Sequence, residues 1–249
     1  FLIKRKRLRI DKKSLLKFLF TGIIIALHWI TFFKAIKVST VSIALVTMST
    51  GAFFAALIEP LFFKRRIRAI EIILGLMVIG GLYIIFNFET QYASGIYYAL
   101  ISSFLAALFS VLNGLFVKKT DPEIISFYQL LFGVLFVTVF LTVKNSFSAE
   151  FFTLSAIDWM YLLILSSICT AFAFIIAVKV MKHLSPFTVV LTTNLEPVYA
   201  IILALIILGD KEKMNIEFYY GAFIVLFVVL LNGIIKNRAA IKKKIRKNK

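Results

Sequence analysis

The sequence predicts an all-α polytopic membrane protein, on three observations. Of its 249 residues, 61% are hydrophobic, well above the roughly 45–50% of an ordinary soluble domain, and the mean hydropathy is +0.97. The apolar residues gather into runs of about 20, the length at which a helix crosses about 30 Å of hydrocarbon. The 29 Lys and Arg residues, against 12 Asp and Glu, stand mostly in the breaks between those runs.

Eight runs are readable, at about 15–36, 40–63, 67–87, 94–117, 122–143, 158–181, 186–208 and 215–235. The first follows the basic stretch 4–13. The second begins near Thr40 and closes on Glu59-Pro60, an interfacial position one turn before a Lys-Arg-Arg cluster. The third carries Glu71 at its start, where a helix dipole stabilises negative charge. The fourth ends before Lys118-Lys119 and the sixth on Lys179 and Lys182. The fifth opens on Asp121-Pro122 and the seventh on Ser185-Pro186, each an N-cap residue followed by proline in the first turn. The seventh stops at Gly209-Asp210; the eighth starts near Glu217 and runs into a polybasic tail.

Charge sets the orientation. Residues 4–13, 64–68, 118–119, 179–182 and 236–249 hold 23 Lys and Arg, whereas the alternate breaks hold 5. Basic loops stay on the cytoplasmic side, so both ends of the chain are expected in the cytoplasm and the protein in the cell membrane. A net charge of +17 would suit nucleic acid if it formed a patch on a soluble surface. Spread over loops, it points to no nucleic acid, and the tail reads as a segment attracted to anionic lipid. Cys169 is the one cysteine, so no disulfide forms within the chain.

Sliding the chain over itself by 146 residues aligns Ser39 with Ser185, Leu45 with Leu191, Thr47 with Thr193, Glu71 with Glu217 and Gly75 with Gly221. The run starting near Thr40 enters from outside and its counterpart at Pro186 from the cytoplasm, so the copies are inverted. The expected organisation is an incomplete first repeat of three helices (1–93), a second repeat of five (94–236) and a basic tail (237–249). Two further helices are expected ahead of Phe1, for ten in all: two inverted halves with a substrate site near the midplane.

Polar residues inside the runs are the candidates for chemistry. Glu196 lies about 15 Å into its helix, near the bilayer centre, where a lipid-facing carboxylate costs roughly 2.5–3.5 kcal/mol. Thr188, Thr192 and Tyr199 share its face by helical spacing. Two readings of Glu196 stay open: a substrate-contacting or proton-accepting group, or a carboxyl that manages a helix kink at Pro197, which lacks a backbone donor. His28 and Trp29 lie at similar depth; His28 could contact substrate, relay a proton or bridge two helices. The counterparts of Glu196 and Pro197 in the first repeat are Thr50 and Gly51. Asn113, Gln129 and Asn194 suit helix-to-helix hydrogen bonding. No nucleophile elbow, P-loop or metal-ligand spacing is present, so no enzyme, cofactor, metal site or ATP-driven pump is expected.

The stretches ALHWITFFKAIKVSTVSIALVTMST (26–50) and VMKHLSPFTVVLTTNLEPVYAIILALIILGD (180–210) resemble the EamA-type permeases of the drug/metabolite transporter superfamily. The most specific part runs through Leu184-Ser185-Pro186 and Leu195-Glu196-Pro197-Val198 to Gly209, with Asp210 where that family usually has Glu. The resemblance implies ten helices in two inverted halves and transport, mostly outward, of amino acids, other metabolites or drugs. The expectation is a secondary permease working by alternating access on a small-molecule substrate, its cavity lined by His28, Trp29, Thr47, Thr50, Thr192, Asn194, Glu196 and Tyr199. Uptake and a non-transporting scaffold or receptor are the rival readings. Proton coupling is left open, and the oligomeric state is not legible.

Overall fold

The computed structural model describes residues 8, 10–64, 66, 69–193, 196–209 and 214–247, and among them every regular element is helical. In chain order these are α1 (Lys12–Val38), α2 (Val41–Met48), α3 (Gly51–Phe63), α4 (Ala69–Phe88), α5 (Ala93–Phe116), α6 (Pro122–Val143), α7 (Ala156–Ile164), α8 (Ala173–Val180), α9 (Pro186–Thr193), α10 (Glu196–Leu208) and α11 (Ile216–Lys247). Among the described residues five stretches are long and apolar enough to cross a membrane: α1, α2 with α3, α5 with the 3-10 turn before it, α6, and α7 through α8. Shorter apolar helices cover Ile73–Phe88, Tyr199–Leu208 and Ile216–Val228.

The punctuation read from sequence operates locally. Pro122 opens α6 in its first turn, where a missing N–H costs nothing. Asp121 makes no side-chain cap bond; its carboxylate lies 3.7 Å from the Lys182 ammonium. Asp11 caps α1, accepting from Ser14 N at 3.3 Å, and that serine contact holds its carboxyl below the usual range. Gly209 ends α10 with φ of +59°, a left-handed turn that glycine adopts without strain; Asp210 lies outside the described residues. α11 continues into the basic tail as far as Lys247, through Ala, Lys and Arg, which are good helix formers.

The chain divides into two units. The first holds residues 1–27 and 112–185. Here α1 and α6 meet backbone to backbone: a Cβ on Gly22 would lie 2.7 Å from the Gln129 carbonyl oxygen. Phe18 packs edge-on against Phe116, and Gln129 Nε2 donates to Asn113 Oδ1 at 2.7 Å, the interhelical bond expected of those residues. Between α7 and α8 the helix widens to a π-helix over Leu165–Phe172, where Ser166 and Ser167 donate back to the Leu163 carbonyl and loosen the regular ladder. The side chains from Ala156 to Ile168 are exposed, as suits a face toward lipid.

The second unit holds residues 28–111 and 186–249. α4 packs along α11 through Leu74, Val78, Val225 and Val228. The close approach is made by Gly81 and Gly221, since a Cβ on Gly221 would lie 2.8 Å from the Gly81 carbonyl oxygen. α2 packs against α10 and α3 against α9, so the two helix pairs run antiparallel. Ala52, Ala55 and Ala56 let α3 lie close to Phe187 and Val190 of α9.

Two buried carboxylates fasten these antiparallel helices. Glu59, near the end of α3, accepts from Phe187 N at the start of α9 at 3.0 Å. Glu89, just after α4 and 1% exposed, accepts from Asn215 N before α11 at 3.0 Å. A carboxylate opposes the dipole at the C-terminus of its own helix, and the N-terminus of the antiparallel neighbour offsets that. The interfacial position read for Glu59 thus carries a specific bond.

Candidate functional site

Every described residue of the expected pathway lining belongs to the second unit. His28 and Trp29 are half-buried on α1, and Thr47 and Thr50 are fully buried at the junction of α2 and α3. The α2–α3 span is the most enclosed of the five, yet its helix is interrupted at Ser49 and Thr50. The ladder tightens there: Ser49 N reaches the Val46 carbonyl and Thr50 N the Thr47 carbonyl, each at 3.1 Å. The Thr50 hydroxyl donates to the same Thr47 carbonyl at 2.7 Å.

α5 supplies what the interruption needs. Ser103 Oγ donates to the Met48 carbonyl at 3.1 Å and lies 2.9 Å from Thr50 Oγ1. The adjacent Ser102 engages α1: its Oγ lies 2.8 Å from His28 Nδ1 and donates to the His28 carbonyl at 3.0 Å, while the Ser102 carbonyl lies 3.0 Å from the same Nδ1. Phe32 stacks on the imidazole and Phe109 meets it edge to face, at centroid distances of 6.1 Å and 5.5 Å. Two neighbouring serines thus tie His28 on one side and the α2–α3 junction on the other. The Thr47 hydroxyl, 0% exposed, has no hydrogen-bond partner, which leaves unused polar capacity beside the junction.

The other half of the expected set lies on α9 and α10. Thr192 is exposed and bonds back to the Thr188 carbonyl at 2.9 Å. Glu196 on α10 is exposed, as is Tyr199 at 64%. Among the described residues no hydrogen bond joins these side chains to His28 or Thr50. Asn194 lies outside the described residues. Leu195 lies outside them as well, and Pro197 is helical within Glu196–Leu208.

Sequence reasoning missed Ser102, Ser103 and Glu89. The signal for the serines was two adjacent hydroxyls in an apolar run, a pattern that ordinary helix contacts also produce. Elsewhere, in the first unit, a cavity of about 570 Å³ is lined by Asp11, Ser14, Lys118, Lys119, Asp121 and Lys182 among others. It sits at helix ends, and its lining is polar and charged, unlike the hydroxyl cluster within the spans.

Comparison with known proteins bears on what such a cluster serves. The pattern of the EamA-like transporter family matches residues 1–87 and 93–234. An uncharacterised transporter of Archaeoglobus fulgidus is 28% identical over 206 residues, 81% of this chain and 69% of that protein. Uncharacterised transporters of Bacillus subtilis and Clostridium kluyveri are 23% and 24% identical, covering 82% and 97% of this chain and 66% and 78% of their own lengths. A protein of known crystal structure superposes with a TM-score of 0.64 at 15% identity, over 92% of this chain and 78% of its own; at that identity the likeness speaks for the fold alone.

Proposed function

The chain belongs to the EamA-like transporter family, a multi-pass membrane protein by its apolar helices, and from that membership we propose that the whole protein is a secondary permease exporting small polar metabolites, amino acids or related compounds, by alternating access. Membership implies transport rather than catalysis. The observation that carries the reading is the hydroxyl and imidazole cluster at the interrupted α2–α3 helix, set in otherwise apolar surroundings. Buried polar groups inside spanning helices are costly and mark pathways, and irregular backbone at membrane depth is tolerated where it is enclosed by protein or lines a cavity.

In this reading α2–α3 and α9–α10 are corresponding helices of two inverted five-helix halves, eight spans of ten lying in this chain. Their antiparallel pairing supports the inversion. His28, Trp29, Thr47 and Thr50 form one side of the pathway, and Thr192, Asn194, Glu196 and Tyr199 the other. Pro197 sets a bend that moves with the transport cycle, and both ends of the chain face the cytoplasm.

The test is flux in proteoliposomes holding the complete protein, against a panel of amino acids and related metabolites, with and without a pH gradient. Saturable movement of at least one compound, faster out of the cytoplasmic face, is expected. Net uptake alone would favour an importer, and no movement across the panel with correctly inserted protein would favour a scaffold.

A further inference from the structure

The proton on His28 can be assigned from its partners. The Ser102 carbonyl can only accept, so at 3.0 Å from Nδ1 it requires Nδ1 to carry the hydrogen. Ser102 Oγ has one proton, which goes to the His28 carbonyl at 3.0 Å, so toward Nδ1 it too accepts, at 2.8 Å. The two contacts agree on one tautomer. Nε2 therefore keeps its lone pair. Among the described residues it has no hydrogen-bond partner, and it stands on a half-buried ring rather than among the sealed, unpartnered polar atoms. Phe32 over the imidazole face and Phe109 against it hold the ring in place and add aromatic surface that attracts cations.

We propose that Ser102 is a positioning residue that holds His28 as its Nδ1–H tautomer, and that the unpartnered Nε2, flanked by Phe32 and Phe109, is a ligand site for a protonated primary amine. An acceptor with no competing donor, beside two aromatic rings, favours N–H donors that carry positive charge. A carboxylate ligand finds there only a lone pair that repels it. The amine's being cargo rests on the transporter reading; the site itself rests on the geometry of α1 and α5.

The test uses the full chain in detergent above neutral pH, with Trp159→Phe leaving Trp29, next to His28, as the single tryptophan. Butylammonium is the probe, compared with butanol and butanoate. Saturable change in Trp29 emission with butylammonium alone is expected. His28→Asn keeps a donor where Nδ1 stands but lacks Nε2 and should weaken binding roughly tenfold or more, as loss of a charge-assisted hydrogen bond does. His28→Gln, whose amide oxygen can reach the Nε2 position, should bind within roughly threefold of the parent. Nitrogen-15 spectra of His28 in a His183→Gln background should show Nε2 unprotonated, and Ser102→Ala should mix the tautomers.

Equal binding of butanol or butanoate, parental affinity in His28→Asn, or a protonated Nε2 in the neutral ring would each overturn the proposal. The two readings fail separately. Flux of some compound without amine binding ends this proposal and leaves the transporter, whereas amine binding without flux of any compound leaves the site and ends the transporter.

Discussion

Glu196 and Pro197 are neighbours whose roles separate by substitution. Glu196→Gln keeps the size and most of the hydrogen bonding of a carboxyl but removes its titratable proton, while Pro197→Ala restores a backbone donor and keeps the carboxylate. If Glu196 touches substrate or carries a proton, the Gln variant should reach the membrane in normal amount and lose transport roughly tenfold or more, in line with loss of a charged hydrogen bond, or lose its pH dependence. Unchanged rates and pH dependence in Glu196→Gln at matched expression, with damage in Pro197→Ala instead, would assign the pair to helix geometry. Ser103 makes a different kind of prediction. Its hydroxyl is buried and bonds to Met48 O and Thr50 Oγ1, so Ser103→Ala should lower unfolding stability in detergent by about 1–3 kcal/mol; a melting temperature equal to the parent's would show that the junction needs no such donor. His28, Thr47 and Thr50 were legible because polar side chains stand out in an apolar run. Ser102 and Ser103 were not, because what distinguishes them from Ser110 on the same helix is which groups pack opposite, and that is fixed only when α1, α2 and α5 assemble.

Helices were the most legible level, because backbone groups in hydrocarbon must satisfy one another and long apolar runs have little alternative to helix. The edges came within a few residues where Pro122, Pro186 or Gly209 marks them. The interruption at Ser49 and Thr50 was not legible from hydropathy: apolar residues flank it on both sides, no proline stands there, and it depends on a donor from α5. Helix contacts were equally hidden, since glycines adjacent in sequence can have opposite duties. Gly80 and Gly81 both lie in α4. A Cβ on Gly80 meets nothing within 4 Å, whereas one on Gly81 would lie 2.9 Å from Val225 Cγ2 and 3.1 Å from the Gly221 carbonyl oxygen. Gly81→Ala should therefore push α4 from α11 and destabilise by about 1–3 kcal/mol. Gly80→Ala should be neutral or stabilise by up to about 1 kcal/mol through helix propensity. Thermal unfolding of both variants in the same detergent decides the matter, and equal melting temperatures would remove the glycine contact as a support of the α4–α11 pair.

At the scale of the whole molecule, the order of helices and the direction in which each crosses are separate facts with separate sources. That α3 and α9 run antiparallel follows from packing and from the bond between Glu59 and Phe187 N; α4 and α11 are related in the same way through Glu89 and Asn215 N. Packing fixes this relative sense but cannot say which end meets the cytoplasm, because no contact distinguishes the two faces of a bilayer. That choice comes from charge: 23 Lys and Arg in one set of breaks against 5 in the other, a bias that retains basic loops on the cytoplasmic side. Labelling can test it directly. In a Cys169→Ala background, which removes the one native thiol, Ser148→Cys places a thiol at an exposed position between α6 and α7, and a cysteine appended after Lys249 marks the basic end. The 144–149 stretch is a better external site than the break between α4 and α5, where Glu89 is committed to Asn215. A membrane-impermeant maleimide added to intact cells should label Ser148→Cys and leave the appended cysteine unmodified until the membrane is opened. Labelling in the reverse order would turn the whole chain over in the membrane: α2 would then enter from the cytoplasm and α9 from outside. The basic tail would lie away from the anionic leaflet, and an export direction argued from a cytoplasmic starting face would fall with it.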